Sequence, residues 1–185
     1  MQKTIQSIFR AARGPLLAVA ALASLQVVQA GQAAGNAEVI ATGSGQTFVD
    51  NGLRNFSFAA VRLANGSVRG QMEVRNPDST IRTHMAINCA LVLEVPGVGE
   101  LAVMSGVVTV SSDPALLGFT AVWAVMDTGE GAGAAPDEIT QVNGFAPFPV
   151  PCACDLLVED VLFPGFFAFV LSQLTPIAGG NVQVH

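Results

Sequence analysis

His84 is the residue best placed for acid–base work. Arg82, His84 and Asn88 fall two and four residues apart in an alternating run, so an extended chain puts all three on one face, with Glu73 or Glu94 as the nearest acids. A histidine beside a carboxylate can act as a general base. This arrangement suits a small isomerase or hydrolase working in a barrel mouth. The competing reading is the solvent side of a half-buried strand. No G-x-S-x-G nucleophile elbow accompanies it. Gly43-Ser44-Gly45 leads into a strand rather than a helix, which removes the phosphate-cradle reading.

A second chemical stock is the cysteines, Cys89, Cys152 and Cys154. Cys152 and Cys154 are one residue apart, too close for an unstrained ring, so the expected disulfide joins Cys89 with Cys152 or Cys154. It closes a loop of about 64 residues, which the chain-entropy argument values at roughly 4 kcal/mol. Zinc, held by some of His84, Cys89, Cys152, Cys154 and His185, is the alternative. Against it, His84 and Cys89 are five apart on one strand and point to opposite faces.

The third is Asp127-Thr128-Gly129-Glu130-Gly131-Ala132-Gly133-Ala134-Ala135-Pro136-Asp137-Glu138, four carboxylates on a glycine-rich backbone. Oxygen ligands on pliable chain suit calcium, with Asp127, Glu130 and Asp137 as ligands of a calcium-stabilised surface domain. The spacing is not that of an EF-hand, and a solvated strand connection is the favoured reading of the composition. Apart from this calcium, no cofactor is expected.

These residues sit in a chain of 185, 51% hydrophobic and 12% charged, with 19 Gly and 10 Pro. That is material for one core and many turns. Arg54–Leu63 and Ser67–Arg75 flank Asn65-Gly66 as two arms of a hairpin. From Ile81 to Leu93 the odd-numbered residues, Met85, Ile87, Cys89, Leu91 and Leu93 among them, are expected on one side. Arg82, His84, Asn88 and Val92 are expected on the other. Leu101–Val110, Phe119–Met126, Ile139–Val142, Leu156–Leu162, Phe166–Leu171 and Asn181–Val184 are further strand segments. The expected fold is all-β, a single antiparallel β-barrel or β-sandwich of about seven to nine strands, over residues 46–185. Residues 31–45 read as a loose lead-in.

Residues 1–30 read as a signal peptide. Lys3, Arg10 and Arg13 precede an apolar run from Pro15, which ends at Val28-Gln29-Ala30. A secreted, periplasmic or cell-surface location follows, with no integral membrane segment once the leader is removed: the later run Val161–Leu171 is too short to span. Cleavage moves the net charge from −6 to −9, and no Lys or Arg follows Thr83. So acidic a surface repels phosphate, which argues against nucleic acid and anionic membranes as partners.

Arg54-Asn55-Phe56-Ser57-Phe58, Gly66, Gly70-Gln71, His84 with Ile87-Asn88-Cys89, Ser105-Gly106-Val107-Val108-Thr109, and Asp127-Thr128-Gly129-Glu130-Gly131 with Pro136-Asp137 form a further combination. Over residues 42–155 it resembles an uncharacterised group of exported bacterial β domains. Those relatives carry Asp-Asn-Gly-Glu-Gly and Pro-Pro-Asp where this chain has Thr128 and Ala135. The resemblance implies fold and export, and no activity. With no catalytic set beside a well-patterned scaffold, a non-enzymatic binding or structural module is the expected function.

Overall fold

The computed structural model describes residues 37–49, 52–77, 80, 82–130, 134–140, 143–146 and 166–185. Residues 1–30, expected to be a signal peptide, Cys152, Cys154 and the strand expected at Leu156–Leu162 lie outside these residues.

The described chain is nearly all β. Its strands are β1 (Glu38–Val49), β2 (Gly52–Arg62), β3 (Val68–Arg75), β4 (Arg82–Val95), β5 (Gly99–Ser111), β6 (Thr120–Asp127), β7 (Glu138–Thr140), β8 (Asn143–Ala146), β9 (Leu174–Pro176) and β10 (Gly179–Val184). An α-helix, α1 (Phe166–Ser172), precedes β9, and a short 3-10 turn at Pro114–Leu116 lies between β5 and β6. The strands form one antiparallel, curled, barrel-like sheet in the order β10-β1-β2-β3-β4-β5-β6-β7-β9, with β8 on β6. Consecutive strands are neighbours from β1 to β7, so the topology is a meander joined by short turns.

The expected hairpin is β2–β3. Gly66 takes φ 81°, its N–H donates to the Leu63 carbonyl, and the Leu63 N–H donates to Ser67. Asn65 Oδ1 accepts from the Ser67 N–H and hydroxyl. The turn therefore spans Leu63 to Ser67, with Gly66 in the left-handed region.

The sheet begins earlier than expected. Glu38–Gly45, read as part of a loose lead-in, belong to β1, which pairs with β2 on one side and β10 on the other. Gly43 and Gly45 suggested a loop, but their role is room. They lie directly opposite Phe58 and Phe56, and a Cβ on Gly43 would come 2.6 Å from the Phe58 ring. Each ring covers its facing glycine.

Most strands contribute to an interior cluster that includes Ile40, Phe56, Phe58, Met72, Met85, Met104, Trp123, Ile139 and Val182. A second buried cluster comprises Cys89, Leu93, Leu101, Val103, Ala124, Met126 and Val170, with Leu91, Leu171 and Leu174 packed against it. It lies on the opposite wall of β4–β6. Adjacent β5 residues divide between the two, Ala102 and Met104 inside, Leu101 and Val103 outside.

This division corrects the expected alternation of β4. The register passes from Ile87↔Gly106 to Cys89↔Ser105, leaving Asn88 as an extra residue. A bulge of this kind exchanges the faces beyond it. Met85 and Ile87 point into the interior, Cys89 and Leu93 join the outer cluster, and Val92 packs with the interior instead of sharing a wet face.

The strand expected at Phe166–Leu171 is helix α1. The β propensity of Phe and Val yields here to packing, since Val170 and Leu171 cover the outer wall.

Candidate functional site

Three chemical groupings were legible in the sequence, and the fold treats each differently. On the outer wall of β3 and β4, Glu73 stands directly opposite His84, and Arg75 opposite Arg82. Arg82 Nε donates to Glu73 Oε1 at 2.8 Å, and His84 Nε2 lies 3.6 Å from Glu73 Oε2. One carboxylate thus faces both side chains, as the shared face predicts. Ser57 faces Glu73 from β2 in the same row. Asn88 is not part of this group. As the bulge residue it turns to Ser105, whose hydroxyl lies 3.5 Å from Asn88 Oδ1.

His84 lies between two inward residues of its strand, Thr83 and Met85, and its side chain is about a quarter exposed (28%). The wall carrying it faces away from the interior cluster. This is a carboxylate–histidine–arginine group on the convex side of a sheet, not in the mouth of the barrel. It can exchange protons with solvent or bind a surface partner; exposed ion pairs of this kind add little to stability.

The acidic loop meets a need the sequence did not reveal. β10 pairs with β1 along one edge, while among the described residues its other edge has no strand partner. The carboxylates fill that place. Asp127 Oδ2 accepts from the Val184 N–H (3.1 Å) and its Oδ1 from the Gly129 N–H (2.9 Å). Asp137 Oδ2 accepts from the Val182 N–H (2.9 Å) and its Oδ1 from the Thr128 N–H (3.2 Å). Asp137 is itself buried, and the Thr128 hydroxyl donates to the Ala135 carbonyl. Each aspartate ties a loop amide to a β10 amide, satisfying edge donors that burial would otherwise make costly.

Glu130 is exposed and lies near the side-chain amides of Asn181 and Gln183, at 3.5 and 3.3 Å. Asp127, Glu130 and Asp137 are therefore engaged by N–H donors. No group of three His, Cys, Asp or Glu side chains able to hold a metal occurs among the described residues. The signal available in the sequence was the position of Asp127 and Asp137 at the ends of two strand segments, where a side chain meets a neighbouring backbone.

Cys89 is buried in the outer cluster at 3% exposure, and its side chain has a partner. His185 lies at the chain end, its N–H donating to the Ile40 carbonyl, and does not join His84.

Within the interior, Trp123 is 1% exposed with Nε1 unpaired. Met72 and Met85 lie opposite each other, and Met104 opposite Trp123. Flexible thioethers fill the gaps between aromatic side chains there. No described helix is long and apolar enough to cross a membrane.

Comparison with models of protein families, with curated proteins and with solved structures finds no match.

Proposed function

We propose that the chain is an exported, non-enzymatic β module that works through its outer surface, in binding or in building an extracellular or envelope structure. The observation that carries this reading is the placement of its chemical groups. Phe56, Phe58, Met72, Met85, Met104 and Trp123 occupy the interior, while Glu73, Arg82 and His84 stand on the outer wall. An enzyme of the isomerase or hydrolase type needs its acid–base group in a concave, water-excluding place. The aspartates of the acidic loop spend their acceptors on β10 rather than on a ligand.

Export and a disulfide belong to the same proposal. The positive segment, apolar run and small-residue site of residues 1–30 support cleavage near Ala30. Cys89 pairs with Cys152 or Cys154 in an oxidising compartment; its burial and engaged side chain support this.

The test has two parts. Fractionated cells, with N-terminal sequencing of the purified protein, are expected to yield a chain outside the cytoplasm that starts near residue 31. The mature protein and its His84→Ala variant are then compared on panels of ester, amide, glycoside and isomerisable substrates. The expected result is no turnover in either. A turnover that His84→Ala abolishes overturns the non-enzymatic reading, and an unprocessed cytoplasmic chain overturns export.

A further inference from the structure

Two pairs of like charges flank the turns at the opposite ends of β4, and they differ in sign. Arg75 on β3 stands directly opposite Arg82 on β4, and Glu94 on β4 directly opposite Glu100 on β5. Like charges so placed repel, and each pair costs the isolated chain stability. Arg82 Nε donates to Glu73, while Arg75, Glu94 and Glu100 make no ion pair among the described residues. Asp113, just past the end of β5, has its carboxylate on the Ala115 N–H. The two pairs cannot meet inside one molecule: Arg82 and Glu94 are twelve residues apart on one extended strand, a separation of roughly 40 Å. Each pair has an exposed apolar neighbour. Val98, 52% exposed, tips the β4–β5 turn, and with Val95 and the two glutamates it lines an open cleft of about 330 Å³. Val110, 54% exposed, stands opposite His84, two residues along β4 from Arg82.

We propose that the chain associates head to tail with a second copy of itself, the β4–β5 turn of one copy docking on the β3–β4 outer wall of the next, which rests on the outer wall being the working surface. Glu94 and Glu100 then lie over Arg75 and Arg82, and Val98 lies against Val110. The spacings match, because both pairs are directly opposed neighbours in antiparallel ladders, about 4.5–5.5 Å apart. The exposed Arg75 guanidinium fits the cleft between the glutamates and has donors for both carboxylates. The turn is already shaped for this: Gly97 takes φ 74°, and the Val98 N–H donates to the Val95 carbonyl. All arginines of the described residues lie on β2–β4, and no Lys or Arg follows Arg82. Copies of so acidic a chain repel one another unless their contact sets these arginines against acids. Turn and wall are different patches, so each contact leaves one of each free, and the copies extend into a row. Exposed charge pairs are individually weak, so the association appears only at high concentration.

Sedimentation equilibrium of the purified protein tests this, at roughly 0.15 M salt, where repulsion between whole molecules is damped beyond about 8 Å. The mean mass is expected to rise at least about 1.5-fold above the monomer as the concentration approaches roughly 10⁻³ M. Glu94→Lys with Glu100→Lys spoils the turn, and Arg75→Glu spoils the wall. Each variant alone is expected to stay monomeric over the same range. An equimolar mixture of the two is expected to recover association, because one variant keeps the wall and the other keeps the turn. Circular dichroism checks that both retain the β fold, and Arg75→Gln replaces Arg75→Glu if the latter unfolds. Association that survives both variants overturns the proposed contact, since the copies then meet elsewhere. A mixture that stays monomeric overturns the head-to-tail arrangement. An unaltered protein that stays monomeric throughout overturns the association, while the turnover and export results stand as they are.

Discussion

Asp137 does at one edge of the sheet what the carbonyls of another strand would do. Both its oxygens accept from backbone N–H groups, on Val182 and Thr128. An asparagine offers one acceptor oxygen and places an NH₂ where the second acceptor stood. Asp137→Asn is therefore expected to destabilise the protein by about 1–3 kcal/mol, read from the midpoint of urea unfolding. The charge change alone does not explain such a loss. Glu130→Gln in the same loop removes an equal charge from an exposed side chain and is expected to move the midpoint little. Gly43 gives a second test at this scale. Its missing Cβ leaves the space that the Phe58 ring fills, so Gly43→Ala is expected to cost about 1–3 kcal/mol through overpacking. The neighbouring β1 residue Thr42→Ala, outside that contact, serves as the control.

At the scale of elements, β4, β5 and β6 carry the most unusual pattern. Their inner faces meet the interior and their outer faces meet α1 and β9, which is why Leu101–Gly106 is buried at every position. At the far end of these strands three carboxylates share one row, Glu94 opposite Glu100 and Glu100 opposite Asp127. Like charges directly opposite oppose each other. Glu100→Lys is expected to raise stability by about 0.2–1 kcal/mol in low salt, and the gain is expected to shrink as salt screens the row. A thermal melt at two ionic strengths checks both statements. The cover also has a measurable share: Val170→Ala removes buried apolar surface at the outer cluster and is expected to speed exchange in α1 more than in β1–β3.

Among the described residues, the sheet is curled so that the two ends of its strand order approach. β9 and β10 are joined by Ile177-Ala178, whose N–H groups donate to the Asp137 carbonyl on the β7 side and the Gln46 carbonyl on β1. The chain thereby steps from one end of the strand order to the other, and side chains complete what backbone pairing leaves open. Asp127 and Asp137 each turn both carboxylate oxygens to backbone N–H groups in this closure. The melting temperature of the protein is expected to stay unchanged between excess chelator and calcium on the order of 10⁻³ M. A rise with calcium, lost in Asp127→Asn, is the outcome against this.

Local pattern was enough to determine the class of fold and most of its strands. Period-two alternation in β3, the Asn65-Gly66 turn and the Pro96-Gly97 break act over a few residues, and each is read without knowing what lies across the sheet. The pairing of Glu73 with Arg82 and His84 was legible in part, since a shared face follows from spacing alone. Tertiary structure decided the rest. Whether Gly43 and Gly45 belong to a loop or to β1 depends on two rings arriving from β2. Whether Cys89 faces the core depends on one extra residue opposite β5. Whether Phe166–Ser172 is strand or helix depends on a wall that needs covering, and what Asp127 and Asp137 do depends on where β10 lands. In each case the deciding partner is distant in sequence, and the free energy that selects the outcome exists only once the sheet has curled.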